Sequence, residues 1–311
     1  MKFECPYCEV HIQADNNKSG SEVSCPNPKC KRDITIPEPN ESTIEVVPKV
    51  DYPRGIFGER IQDLMSEKKK VAHHVVKTFL TQGASAFICD GSSTFYVGLK
   101  IFQEVKRRSI NNELPLDITI YTNNLAIAHE YALKNSPQGK LPAIKVYTTG
   151  GDICTDLMME SGDQAKEMAA KLAAMYGPYL ILAVRAILAK EGPIGLKDSQ
   201  DVIIKQAILK AGEGIVKGVI FVADHMKLSQ PYKDGMPTLF NDIADWEHLK
   251  EKTNTFIVST THPKYGNSKA PPQSYNYYHP QTEEECYTVN CRELAAVMNK
   301  DINRERFILL K

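Results

Sequence analysis

The sequence is short of several things, and each shortage narrows what the chain does. It carries one tryptophan in 311 residues, and its 38 Lys and Arg exactly offset its 38 Asp and Glu. A chain with no net charge exerts no bulk attraction on nucleic acid or on an anionic membrane. No apolar run approaches the length of a membrane span. We expect no secretory leader either, because the N-terminus shows no charged-then-apolar pattern. There is no repeat of solenoid type. The first 36 residues have little apolar material from which to build a core.

That segment has cysteines in place of a core. They come in two pairs, Cys5-Pro-Tyr-Cys8 and Cys25-Pro-Asn-Pro-Lys-Cys30. Cys-x2-Cys followed by Cys-x4-Cys suits two knuckle turns around one tetrahedral ion. Pro6 and Pro26 stiffen the turns. Cys5, Cys8, Cys25 and Cys30 are therefore the expected ligands of a structural Zn2+, whose binding would supply the folding free energy that burial cannot. Four thiolates leave no open coordination position, which argues against metal catalysis. With half of the eight cysteines spaced for metal and no leader in view, a reducing cytoplasm is the expected compartment.

The remainder is ordinary globular sequence, with 42% hydrophobic residues across the chain, enough for a sizeable core. Four regions are expected: a zinc ribbon over 1–36, a proline-containing linker over 37–55, a main domain over 56–262 and a C-terminal extension over 263–311. In the main domain, short apolar runs at Ala86–Cys89, Asp117–Tyr121, Ala143–Thr148, Tyr179–Val184, Gly218–Ala223 and Thr255–Ser259 alternate with helical patterns. Ser66 is the expected N-cap of the first helix. Strand–helix alternation predicts an α/β fold, a mostly parallel sheet covered by helices on both faces. In the extension, Cys291–Lys300 is a candidate short helix, and Phe307–Leu310 is expected at a sheet edge or against a partner.

Ligands of such sheets bind outside the carboxyl ends of the strands, where small polar segments recur here. Asp90-Gly91-Ser92-Ser93-Thr94 runs from a strand into a helix. Free N–H groups and hydroxyls there make an anion cradle, and Gly91 lets backbone approach a phosphate. An ordinary helix cap is the plain alternative. Thr122-Asn123-Asn124 suits sugar hydroxyls, or merely closes a strand. Gly150 and Gly151 admit a ligand against backbone, or form a simple turn. Arg185 follows the fourth strand as a second anion ligand or a carboxylate's partner. Asp224 and Lys227 suit a hydroxyl and a phosphate, with a surface ion pair as the alternative. His225 is a weaker acid–base candidate.

Other features read as structural. Cys89 and Cys154 fit as buried small residues. Cys286 and Cys291, with His279 nearby, fit two thiols better than a second metal site. The adjacent His73 and His74 cannot face one metal from a helix. Lys68, Lys69 and Lys70 read as a solvated face.

Residues from about Glu67 to His262 resemble the effector-binding domain of DeoR-type transcription regulators, which shares its fold with ribose-5-phosphate isomerase and the CoA transferases. The match is carried in order by Glu67–Ala72, by Phe87-Ile-Cys-Asp-Gly-Ser-Ser-Thr94, by Thr122-Asn123, by Gly150-Gly151 with Gly162-Asp-Gln-Ala165, and by Val222-Ala-Asp-His-Met-Lys227. The resemblance implies a phosphorylated sugar or related metabolite as ligand. Asp90–Thr94 and Lys227 would lie at its phosphate, with Asn123, Gly151 and Asp224 nearby. The family's helix-turn-helix is missing before Ser66, where the cysteine unit stands instead, so DNA binding does not follow. Arg185 also departs from the family pattern.

The expected function is thus a phosphosugar-binding regulatory protein, a homo-oligomer without membrane association, whose ribbon contacts a protein or, weakly, nucleic acid. The alternative is a sugar-phosphate isomerase, with Asp90, Asp152 or Asp224 as base and Lys227 or Arg185 as stabiliser.

Overall fold

A computed structural model separates the chain into two compact units, Met1–Tyr52 and Pro53–Lys311. The structure describes residues 2–4, 11–13, 21–26, 28, 33–35, 56–135, 144–188, 192–196, 199–228, 240–260, 275–278, 285–289 and 307–310. The expected linker over 37–55, the helix expected at Cys291–Lys300, His279 and Cys291 lie outside these residues.

The first unit holds two antiparallel hairpins. Strand β1 (Lys2–Glu4) pairs with β2 (His11–Gln13), and β3 (Glu22–Ser24) with β4 (Asp33–Thr35). In sequence, Cys5 and Cys8 fall between the strands of the first hairpin, and Cys25 and Cys30 between those of the second. Cys25 directly follows β3 and is buried, as are Ile12 and Ile34. Cys5, Cys8 and Cys30 lie outside the described residues.

The second unit opens with α1 (Ile56–Gln62) and α2 (Met65–Phe79), followed by β5 (Ser85–Ile88), α3 (Ser92–Ile110), β6 (Ile118–Thr122), α4 (Leu125–Lys134) and β7 (Ile144–Thr148). A small hairpin, β8 (Asp152–Cys154) and β9 (Met159–Ser161), leads into α5 (Gly162–Tyr176) and β10 (Tyr179–Ala183). Then come β11 (Ala186–Leu188), β12 (Gly192–Leu196), α6 (Gln200–Ala211), β13 (Gly218–Val222), β14 (Phe240–Asp242), α7 (Trp246–Lys252) and β15 (Thr255–Thr260). The last described strands are β16 (Tyr275–Tyr278), β17 (Glu285–Val289), which contains Cys286, and β18 (Phe307–Leu310).

Seven strands make one sheet in the order β7–β6–β5–β10–β13–β15–β18, and every adjacent pair is parallel. The expected α/β architecture is present. Successive side chains on a strand face opposite ways. Phe87, Leu180, Leu182, Val219, Phe221 and Ile257 join the core built with Ala165, Ala169 and Ala173 of α5 and Ile204, Ile208 and Leu249 of α6 and α7. Intervening residues serve the other face, where Phe79 of α2 packs against Phe256 with ring centroids 4.9 Å apart. Burial on both faces explains why these strands read as continuous apolar runs. The extension adds β18 as the last strand of the sheet, pairing Phe307 to Leu310 with Ile257 to Thr260.

Three local expectations are corrected, and some elements went unread. Ser66 does not cap α2. The helix starts one residue earlier, behind Leu64 in a left-handed conformation (φ 48°), with no side-chain cap. Helix α1, the β8–β9 hairpin and the antiparallel sheet β11–β12–β14 carried too few periodic residues to be read from sequence. Cys154 is only partly buried. Lys68 is not part of a solvated face: it is 3% exposed, whereas Lys69 and Lys70 are exposed.

Helix α1 is held over the first turns of α3. Phe57 meets Phe95 edge-on at 5.8 Å, and the Tyr96 hydroxyl donates to the Ile61 carbonyl at 3.0 Å. Phe95 is 1% exposed, so Phe95→Ala removes a large buried ring. We expect it to cost about 3–5 kcal/mol in urea unfolding; a loss below about 1 kcal/mol would refute this anchoring.

Candidate functional site at the strand ends

The strand order reverses direction between β5 and β10: β6 and β7 extend to one side of β5, and β10, β13, β15 and β18 to the other. Such a point opens a crevice at the carboxyl ends of the strands. Asp90 follows β5, Asn123 follows β6, Gly150 follows β7, Arg185 follows β10 and Asp224 follows β13, so the parallel sheet brings all of these sequence-predicted segments to one edge.

The loop from Asp90 is fixed by its neighbours. The Asp90 N–H donates to Asn123 Oδ1 at 2.9 Å, and Asn123 Nδ2 donates to Asp90 Oδ1 at 3.2 Å. Asn124 Nδ2 donates to the Gly91 carbonyl at 3.2 Å, while its Oδ1 caps α4 by accepting from Ala126 and Ile127 N–H. Thr122 Oγ1 donates to the Ile88 carbonyl at 2.6 Å and accepts from the Asn124 N–H. Thr122 and Asn123, expected at sugar hydroxyls, are 0% and 1% exposed, and these bonds engage them in bracing β5 against β6.

Gly91 has φ 120°, and a Cβ there would lie 2.7 Å from Ala183 Cβ at the end of β10. Its conformation and this contact both require glycine. Gly91 starts α3 with no side-chain cap. The leading N–H groups of a 19-residue helix therefore lack the usual hydroxyl or carboxylate partner. Ser92, Ser93 and Thr94 are all buried; Thr94 Oγ1 donates to Gly91 O at 2.8 Å, while Ser93 Oγ, in a residue 1% exposed, has no hydrogen-bond partner. A buried unsatisfied hydroxyl is costly, and beside an uncapped helix start it marks a place for an acceptor.

Cations gather around this loop, several of them not foreseen from sequence. Lys205 of α6 is 2% exposed, contacts Asp201 Oδ1 closely and lies 4.0 Å from Asp90 Oδ2. Burial opposes its charge, but Asp201 and Asp90 outweigh that and hold the ammonium above its ordinary pKa. Burial, then the Asp201 charge, push the Asp90 carboxyl up to about 7, and a carboxyl–carboxyl hydrogen bond to Asp201 favours the protonated form. Lys68 Nζ donates to the Arg60 carbonyl and, at 2.5 Å, to the Asp63 carbonyl. Burial brings Lys68 down to about 8, against the Asp224 charge. Lys227, 23% exposed, lies 3.8 Å from Asp224 Oδ2, and burial lowers its pKa. Arg60 is lowered by burial and then by Arg185, which is exposed.

The sequence did carry a signal for the two missed lysines. Lys205 shares a helical face with Asp201, Val202, Ile208 and Leu209, and Lys68 shares one with Val71, Ala72, Val75 and Val76. A lysine interrupting an apolar stripe is a buried charge looking for a partner.

Other candidates sit elsewhere or serve the fold. Gly151 (φ 105°) packs against its own chain, since a Cβ would meet the Ser161 carbonyl at 2.5 Å. The Gly150 N–H donates to buried Glu160 Oε2 at 2.6 Å, which also accepts from Thr149 Oγ1. Asp152 is exposed on the β8–β9 hairpin. His225 is buried in the 3-10 turn His225–Lys227. Cys89 is fully buried, and burial raises its thiol pKa well above normal, so it is no ready nucleophile. Among the described residues no three His, Cys, Asp or Glu side chains form a metal-binding group, three of the four ribbon cysteines lying outside that set.

The Asp90 carboxyl generates a pH prediction. The unfolded chain releases this proton near the ordinary aspartate value of 3.8, whereas the folded protein keeps it to about 7. Between those values the folded state binds more protons, so its stability falls as pH rises. The contribution is complete below 3.8 and gone above about 7. Asp90→Asn should flatten the slope of unfolding free energy against pH between about 4 and 7; an unchanged slope would exclude Asp90 as its source.

No protein-family model and no curated protein matches the chain. Among solved structures it is similar to ribose 5-phosphate isomerase from Plasmodium falciparum, at 14% identity over 53% of each chain with a TM-score of 0.31. It is also similar to ribose 5-phosphate isomerase A from Methanocaldococcus jannaschii, at 12% identity over 55% of this chain and 57% of that one, TM-score 0.31. A third similar structure is eIF2B delta from Chaetomium thermophilum, at 13% identity over 62% of this chain and 57% of that one, TM-score 0.34. The chain thus spans just over half the length of these proteins. Likeness at such TM-scores carries no argument, and the reading of the site rests on its own geometry.

Proposed function

We propose that this chain binds a phosphorylated sugar or similar polyol phosphate at the β5–β10 crevice and acts as a sensor. The observation that carries the reading is the start of α3, uncapped at Gly91, with the buried Ser93 hydroxyl unpartnered. A phosphate there would accept from the leading N–H groups and from Ser93, favoured by the helix dipole. Lys68 and Lys227 supply positive charge at the same edge, with Asp224 as a hydroxyl acceptor. Asp90, pushed up to about 7, is more than half protonated below that pH, which lowers the repulsion between its carboxyl and an incoming anion.

Thermal unfolding with ribose 5-phosphate, fructose 6-phosphate and their unphosphorylated sugars tests the reading. A phosphorylated sugar should raise the midpoint while its parent sugar does not; no shift with either phosphate would count against the site. Ser93→Ala should weaken binding about tenfold or more, as expected when one hydrogen bond to a charged group is lost. Affinity should also decline as pH rises through about 8, where Lys68 loses its proton.

A second reading is an aldose–ketose isomerase. Asp90 favours it, being a buried carboxyl titrating near neutrality as a general acid–base group must. Sustained conversion of either sugar phosphate followed by NMR, abolished in Asp90→Asn, would replace the sensor with the enzyme.

For the first unit we propose a structural Zn2+ held by Cys5, Cys8, Cys25 and Cys30, and a role in contacting a protein partner. Support comes from the paired hairpins, with one cysteine pair falling in sequence between the strands of each, and from the burial of Cys25. Purified protein should contain one zinc per chain, and Cys25→Ser should fall well below that. A wild-type zinc content near zero would overturn the assignment.

A further inference from the structure

Two arginines flank the crevice without the partners that arginines in such places usually have. Arg60 lies on α1, and its backbone is held tightly. Its carbonyl accepts from Lys68 Nζ, the next carbonyl accepts from Tyr96, and Phe57 packs on Phe95. Tyr96 and Phe95 belong to the first turns of α3, so Arg60 is fixed close to the proposed phosphate seat. Arg185 reaches the same region from the other side. Ala183 would touch a Cβ at Gly91 at 2.7 Å, and Arg185 is two residues further along the chain. Two residues of extended chain span roughly 7 Å. The Arg185 N–H donates to Ile194 O at 2.9 Å, which fixes its backbone on the adjoining β12.

Among the described residues, neither guanidinium forms an ion pair with a carboxylate. The acids of the crevice have nearer partners, Asp201 and Asp90 at Lys205 and Asp224 at Lys227; Asp201 and Asp90 attract Arg60 only beyond ion-pair distance, and less than Arg185 repels it. Arg60 and Arg185 repel each other, and both also repel Lys227. Half-burying an arginine beside like charges is unfavourable unless something anionic arrives. Guanidinium is the group best matched to a phosphate or carboxylate fork. Ser93 and the α3 start suffice for one phosphate, so the arginines are left for another.

We propose that the ligand carries two anionic groups, a sugar bisphosphate, with one phosphate at the α3 start and the second between Arg60 and Arg185. The inference rests on the phosphosugar reading and narrows it. The second subsite selects for ligand length and charge, because a monophosphate leaves the repulsion between the two guanidiniums unrelieved.

Isothermal titration of the full chain with two matched pairs tests it: fructose 6-phosphate against fructose 1,6-bisphosphate, and ribose 5-phosphate against ribose 1,5-bisphosphate. In at least one pair the bisphosphate should bind tenfold tighter or more. Arg185→Ala, an exposed position whose replacement leaves the core untouched, should cut the bisphosphate's affinity by at least tenfold more than the monophosphate's. Ser93→Ala should weaken both members of the pair. Equal affinities within both pairs, or a bisphosphate advantage that survives Arg185→Ala, would overturn the second subsite while leaving the phosphosugar reading intact. Binding of no member of either pair would remove both.

Discussion

Much of the crevice depends on one buried lysine. Lys205 sits at 2% exposure on α6, with Asp201 one turn before it on the same helix and Asp90 across on the loop after β5. An ammonium so placed is tolerable only with its carboxylates, and Asp90 and Asp201 are tolerable together only with the ammonium between them or a proton shared. Removing the ammonium leaves two carboxyls facing each other, and removing a carboxyl deprives the buried ammonium of one of its two partners, so the three specify one another. They also lock α6 to the β5 loop, and that loop sets the direction of α3. The strand-end chemistry therefore follows from a constraint lying beneath it.

A second layer of bracing divides the polar residues into two groups. Thr122, Asn123 and Asn124 hold the ends of β5 and β6 together and cap α4. Glu160 does the same for the turn after β7. With their hydrogen bonds made inside the protein, these groups preorganise the site. The groups that the fold leaves open at this edge are the leading N–H groups of α3, the Ser93 hydroxyl and the guanidiniums of Arg60 on α1 and Arg185 after β10. Rigid support beneath and unsatisfied donors above is what a binding site for a small anion requires.

The sheet was legible because strands buried on both faces give compact apolar runs, and six of its seven strands fall where those runs stand, within a residue or two. The seventh, Phe307–Leu310, was legible only as an edge element. Helix α4 begins behind a polar cap, Asn124, whereas α2 was misplaced at its start because Leu64, not a polar cap, precedes it. The strand-end residues were legible as a set, since parallel topology places every such loop on one edge. Their division into bracing and binding groups was not, because Asn123 and Ser93 differ in hydrogen bonds made across the sheet rather than in local sequence. Lys68 and Lys205 were missed for the opposite reason: a run such as Lys68–Lys70, or a single lysine such as Lys205, reads as solvated unless its helical phase is followed against the apolar stripe.

The crevice draws on segments scattered over more than half the chain, from Arg60 and Lys68 through Asp90–Thr94 and Arg185 to Lys205 and Lys227. No two of its cations lie on the same helix or strand, so their repulsion acts between elements and opposes the packing of α1 on α3 and of β10's end on the β5 loop. An anion seated there replaces repulsion by attraction across those same contacts. Ligand affinity and local stability are then two views of one free energy, in keeping with linkage, by which anything that binds the folded state alone stabilises it. In such an arrangement the elements that would report a bound anion are α1, which carries Arg60, and the segment after β10, which carries Arg185; among the described residues neither arginine forms an ion pair with a carboxylate. A sensor needs this property, and a rigid, fully compensated pocket would lack it.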